Sequence, residues 1–313
     1  MRNLVIGAII AVISALSYAL LTAFIKLYAL NIPMPVLVFF QSFISLTLSA
    51  ALLYRTEGKK IFAVYQYSSV KRFHFLRAIF SLGLSYFLFI SIGFIPYFDA
   101  VLLFNLFPLW VIVFSFIIFK IKTKVSVIPM VILGFIGVFL ALGLDRNILS
   151  IYALFALFSG MSAALSVIMQ KRALKEDSSI KSLYYYFLIA TIISGIIALA
   201  YLKSVNALTH LNMTEIMGLI ITLIIAGLLL FISQATLIFA TQFTLPSVVS
   251  GLYYSNIVFS FLLGIFIFNN QLTLQIVTGI VLIIFSGIGI IYFQNKKRNV
   301  KKELASHYQI QGA

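Results

Sequence analysis

The sequence predicts an all-α integral membrane protein: ten transmembrane helices as two inverted five-helix repeats, both termini cytoplasmic. Three observations lead there: composition, the placement of the basic residues, and a match of the chain onto itself. Of 313 residues, 63% are hydrophobic and 9% charged, against about 45–50% and about 25% in soluble domains. A soluble enzyme and a disordered chain are excluded on that ground, and the lack of cysteine excludes a disulfide scaffold. At about 20 residues per span, a chain of this length holds roughly ten helices and leaves no room for a soluble catalytic domain.

Apolar runs bounded by charge, proline or polar clusters place the first five spans near 4–30, 35–54, 75–95, 99–119 and 125–144. The second five fall near 149–170, 182–202, 214–240, 246–268 and 272–293. The joins at Pro96–Asp99 and Thr241–Pro246 are tight, and nine spans is the rival count. The 22 Lys and Arg residues decide for ten. Short cytoplasmic loops retain basic residues, and with ten spans and the amino terminus inside, all but Lys26, Arg146 and Lys203 lie on the inner side. Lys59, Lys60, Lys71, Arg72 and the Lys296–Lys302 cluster are expected to set topology and to touch anionic lipid, with Arg77 counted on the same inner side at the start of the third span. The formal net charge of +15 therefore implies no nucleic-acid partner. Ile61–Tyr67 is apolar enough to lie along the interface. The first segment has no convincing cleavage site and reads as a retained helix.

The self-match gives the repeat. At an offset of 145, Ser14, Ser17 and Lys26 fall on Ser159, Ser162 and Lys171; at 150, Pro96, Thr123 and Gly137 fall on Pro246, Thr273 and Gly287. Five spans per half is an odd number, so the halves enter the membrane in opposite senses, as the charges also require. The expected units are residues 1–146, 147–295 and a basic cytoplasmic tail, 296–313. Inverted repeats about an axis in the membrane plane are an architecture of secondary transporters, with substrate held near the midplane.

Several residue groups together resemble the drug/metabolite transporter superfamily, specifically its ten-span EamA-type carriers. They are Phe24-Ile25-Lys26, Ile95-Pro96 to Ala100, Phe107-Pro108 and Gly134/Gly137 in the first half. In the second half they are Met169-Gln170-Lys171, Leu245-Pro246 to Ser250, and Gly279 to Gly287. The resemblance covers about residues 4–294. It implies movement of small metabolites across the cytoplasmic membrane, often outward. Where members commonly carry an Arg on the second helix this chain has Gln41, and where they carry an acid before the fifth and tenth helices it has Lys120 and Asn270.

Polar groups at membrane depth ask for a partner, a cavity or water. Asn105 precedes Pro108, which removes a helical hydrogen bond and blocks the Phe104 carbonyl from its usual donor. Trp110 sits at mid-depth, and its indole N–H needs an acceptor. Tyr253, Tyr254 and Asn256 occupy the matching depth of the ninth span, one residue out of register with Asn105. With Gln41, Tyr86 and Gln234 they form the candidate substrate cavity, the alternative being hydrogen bonding between helices. Tyr184, Tyr185 and Tyr186 read as an interfacial belt.

Lys26 and Asp99 are the possible polar gate or anion contact, with snorkelling or a helix-carbonyl contact the other reading for Lys26. Only seven acids exist, none central, so proton relay through a buried carboxylate is not expected. His74, His210 and His307 are placed in loops or at an interface, so no catalytic residue, metal or cofactor is expected. No phosphate-binding loop occurs. The reading is a secondary carrier, monomer or homodimer, for a neutral or zwitterionic metabolite such as an amino acid, with export favoured. Uptake of a host metabolite such as S-adenosylmethionine is the runner-up, and a non-transporting channel or scaffold is less favoured.

Overall fold

The computed structural model describes residues 2–58, 71–119, 128–142, 150–204, 213–243, 249, 252–269 and 273–310. Among them every element is helical. The first half holds α1 (Arg2–Phe24), extended by a π-helical turn (Ile25–Ala29), then α2 (Met34–Glu57), α3 (Lys71–Phe94), α4 (Tyr97–Phe104), α5 (Phe107–Phe119) and α6 (Ile128–Leu142). The second holds α7 (Ile151–Ala173), α8 (Ser179–Ser204), α9 (Met213–Phe243), α10 (Ser255–Phe268) and α11 (Leu274–Ile310). Among the described residues seven apolar stretches are long enough to cross a membrane, α4 and α5 counting together, and three shorter ones lie at Ile128–Leu142, Ser255–Phe268 and Leu274–Ile290.

Local chemistry explains the boundaries. Pro33 and Pro96 precede α2 and α4, where a missing N–H does no harm. Ser150 caps α7 by accepting from the Ala153 amide at 3.1 Å. Asn269 ends α10 in the left-handed conformation, φ 52°, which an Asn tolerates better than most residues. The fourth span is broken rather than continuous: α4 stops at Phe104, residues 105–106 turn, and α5 begins at Phe107. The helix expected over 272–293 runs on to Ile310, so much of the basic tail continues α11. Ile61–Tyr67, Lys120, Pro246 and Asn270 lie outside the described residues.

Packing pairs the halves element by element. α1 lies along α9 and α7 along α3; α1 meets α10, and α7 meets α4 and α5; α2 packs on α8, and α6 on α11. Exchanging the halves maps α1/α9 onto α7/α3 and α1/α10 onto α7/α4–α5, and returns α2/α8 and α6/α11 to themselves. Directions follow from paired residues. Met130 touches Gly289, Gly134 faces Ser286 and Ala141 faces Gly279, so α6 and α11 are antiparallel. α3 and α7 are antiparallel too, with Arg77 bonded to Ser166, Gly83 against Ser162 and Phe94 stacked on Tyr152.

The α6/α11 contact is close because both sides are glycine. A Cβ on Gly137 would lie 2.8 Å from the Gly279 carbonyl oxygen, and one on Gly279 would lie 2.5 Å from that of Gly137. Small residues allow this approach where no water drives helices together.

Candidate functional site

The break in the fourth span puts Asn105 at the centre of the molecule. Its side-chain Nδ2 donates to the Val101 carbonyl at 2.7 Å and to Asn256 Oδ1 at 2.8 Å; Asn256 Nδ2 donates in turn to the Ala15 carbonyl at 2.7 Å. Both amides are fully buried. Tyr253 and Tyr254 form the turn that opens α10, so the two irregular segments, one from each half, meet through this amide pair. Of the two roles open to Asn105 and Asn256, bonding between helices is the one they perform here. The carbonyls exposed by the break do not line a cavity: a Cβ on Gly160 would lie 2.7 Å from the Phe104 oxygen, so α7 closes over them.

The other candidates divide. Tyr253 is buried, its ring edge-on to Phe107 at 5.0 Å and its hydroxyl paired with Ser233. Tyr254 is buried and its ring fills the space left by Gly287, so it serves the α10/α11 contact. Gln41 is buried with Nε2 unpartnered, while Ser45, one turn on, donates to the Gly227 carbonyl at 3.1 Å. Tyr86 is half-buried with an unpartnered hydroxyl. Trp110 turns to α6, its ring edge-on to Phe135, and its N–H has not found the acceptor it was expected to need. Gln234 is half-buried; its neighbour Ser233 makes the contact with α1, in a reciprocal pair with Ser14 at 2.8 and 3.2 Å. Lys26 donates to the carbonyls of Ile92 and Ile95 at the end of α3, the helix-carbonyl role. Asp99 stands half-buried in the first turn of α4.

Arg77, counted with the inner-side basic residues at the start of the third span, lies inside α3 and is 1% exposed. Two sequence expectations are corrected. His74 is likewise buried, with Nε2 2.7 Å from Asp177 Oδ2. Tyr185 and Tyr186 are buried rather than forming a surface belt. The Arg77 guanidinium stacks 4.4 Å over the Tyr186 ring, and Nη1 donates to both the carbonyl and the hydroxyl of Ser182 at 3.2 Å. Ser81 and Tyr186 hydroxyls bond at 2.7 Å. A signal was available: His74, Arg77, Ser81 and Ser85 recur at three- and four-residue spacing, the period of one helix face.

These groups join first-half α3 to second-half α8. Tyr18 is buried near Tyr186, Tyr97 and Tyr253. Beside Tyr253, the space lined by Phe107, Val167, Gln170, Leu237, Thr241 and Val249 is about 10 Å3, room for about one water. A separate depression of about 250 Å3 lies at the start of α3, lined by Lys71, Arg72, His74, Phe75, Tyr185 and Ile189.

The model of the EamA-like transporter family matches residues 5–143 and again 150–292. The chain belongs to the EamA-like transporter family. Each match covers one set of helices that pack as exchanging partners, so this EamA-like protein carries two copies of the family unit. It is accordingly a multi-pass membrane transporter of the drug/metabolite type. A solved structure described only as "Crystal structure of protein" superposes with a TM-score of 0.62 at 15% identity, over 94% of this chain and 98% of its own. At that identity the likeness concerns the fold alone. No curated protein matches the chain.

Proposed function

We propose that this EamA-like protein is a secondary carrier for a small neutral or zwitterionic metabolite, an amino acid or related compound, with export favoured over uptake. It works across the inner membrane by alternating access, as ten spans in two inverted halves with both termini cytoplasmic. Anionic lipid meets the basic inner ends, and the path binds substrate at the level of the two irregular segments. The observation that carries this reading is the meeting of Asn105 and Asn256, where irregular segments from opposite halves bond to each other at a buried position. Irregular backbone at membrane depth is a feature of transporter binding sites. The antiparallel run of α6 and α11, matching helices of the two halves, supports the inversion.

Because the chain has no cysteine, an introduced pair tests the motion without background. An ideal Cβ on Gly83 stands 3.8 Å from the Ser162 Cβ, the mean separation for a disulfide. Oxidised Gly83→Cys/Ser162→Cys protein in liposomes is expected to lose counterflow of its amino acid, nucleoside, S-adenosylmethionine or polyamine cargo, and to regain it on reduction. Unchanged counterflow with complete cross-linking overturns movement at this seam. Flux without counterflow identifies a channel.

A further inference from the structure

The carrier reading leaves the chemistry of the cargo open, and Arg77 narrows it. A charge inside a membrane bundle is costly unless paired, yet among the described residues no carboxylate pairs with this guanidinium. Its partners are one carbonyl, one hydroxyl and a ring face, and Nη2 has none. Asp177, the acid at this end, is bonded to His74. Toward the centre, the Tyr18 hydroxyl is also buried without a partner. The imbalance has a sign. Among the described buried amide, indole and guanidinium atoms left unpartnered, Gln41 Nε2, Arg77 Nη2 and Trp110 Nε1 are donors and Asn105 Oδ1 is an acceptor, with His74 Nδ1 unpartnered as well. At Arg77 the described residues leave a donor and a positive charge without a matching anionic acceptor. A carboxylate supplies both needs, since its two oxygens accept from a guanidinium in matched geometry.

Resting on the carrier reading, we propose that Arg77 is the anion anchor of the transport path and that the cargo carries a carboxylate. The Tyr186 ring and Ser182 hold the guanidinium in place. When α3 and α8 part, Nη2 and then Nη1 turn to the substrate, while the aromatic walls take the rest of the molecule. With no acid paired to Arg77 among the described residues, a compound bearing only an ammonium group meets repulsion at this point. A zwitterion such as an amino acid, or a simple carboxylic acid, is accepted.

The test compares matched probes on the full-length protein. Thermal midpoints in detergent are read with sodium propionate against propionamide, and with L-leucine against L-leucinamide and isopentylamine. The expected result is a rise with the acids only, and about a ten- to hundredfold weaker response in Arg77→Gln, the factor associated with losing hydrogen bonds to a charged group. Arg72→Gln, exposed at the start of α3, keeps the wild-type response. If Arg77→Gln does not purify as a single species, Arg77→Lys decides: it keeps the charge without the fork, and must separate acid from amide less well than wild type. Amides or amines that act as strongly as acids overturn the anchor, as does acid selectivity indifferent to both Arg77 variants. Counterflow separates the two proposals. Transport of a carboxylate-free cargo leaves the carrier reading standing and removes the anchor, whereas acid-selective binding without counterflow keeps the anchor and removes the carrier.

Discussion

Two of the seams between the halves are built on opposite principles. Between α6 and α11, Gly137 and Gly279 bring backbone against backbone, and Ser286 donates to the Met130 carbonyl at 2.6 Å. Between α3 and its partners α7 and α8, contact runs through Arg77, the Ser81–Tyr186 pair, the Ser166 hydroxyl and the His74–Asp177 bridge. A glycine seam has one geometry, because carbonyl oxygens and α-carbons cannot repack. A seam of hydroxyls and a guanidinium can exchange partners, with water or with a ligand, as the helices part. On the proposed alternating-access reading, the first seam is the support and the second is where movement is expected.

The largest effect is expected where the glycine seam is overfilled. Gly137→Leu drives a side chain into the Gly279 carbonyl and Ile283, and is expected to destabilise by about 3 kcal/mol or more, read as a collapsed melting midpoint in detergent. Wild-type stability would remove the claim that this seam is rigid. A cross-link sharpens it further. Gly134→Cys/Ser286→Cys, at a position where a Cβ lies 2.7 Å from the Ser286 oxygen, is expected to leave counterflow intact when oxidised, unlike the pair across α3 and α7.

Next comes the amide pair between the seams. Asn105→Leu strands the Asn256 oxygen and is expected to destabilise by about 1–2 kcal/mol. A double-mutant cycle of Asn105→Ala and Asn256→Ala should return a coupling of about 0.6–1.7 kcal/mol, and strict additivity would show that the 2.8 Å contact does not couple the halves. The movable seam responds more weakly. Tyr186→Phe removes one hydroxyl bond, and about 0.6 kcal/mol is expected, with the greater change in transport rate. The smallest effect is at Arg72, exposed on the first turn of α3: Arg72→Gln should shift stability by no more than about 0.5 kcal/mol.

Which residues would be polar contacts was legible; which contact each would make was less so. Lys26 illustrates the limit. Its place at the end of the first span left snorkelling, an anion and helix carbonyls open, and only the approach of the end of α3 selected the carbonyls. Asn105 and Asn256 were singled out by depth and repeat register, yet their bond joins residues 151 positions apart. Arg77 went the other way. Counting it with the inner-side basic residues near the third span concealed a buried guanidinium whose helix face already included His74, Ser81 and Ser85.

Composition, apolar run length and internal self-similarity by themselves determined an all-helical membrane protein of two matched halves, because a bilayer requires every spanning backbone group to be satisfied within its own helix. Proline and glycine positions likewise placed the irregular fourth span and the close α6/α11 contact. Pairing between helices is not local. Whether a hydroxyl meets a carbonyl, whether a freed carbonyl faces a cavity or Gly160, and whether an arginine meets lipid, water or a tyrosine ring all depend on rotation and offset between helices. Those are set by packing over the whole bundle, and only the tertiary structure decided them.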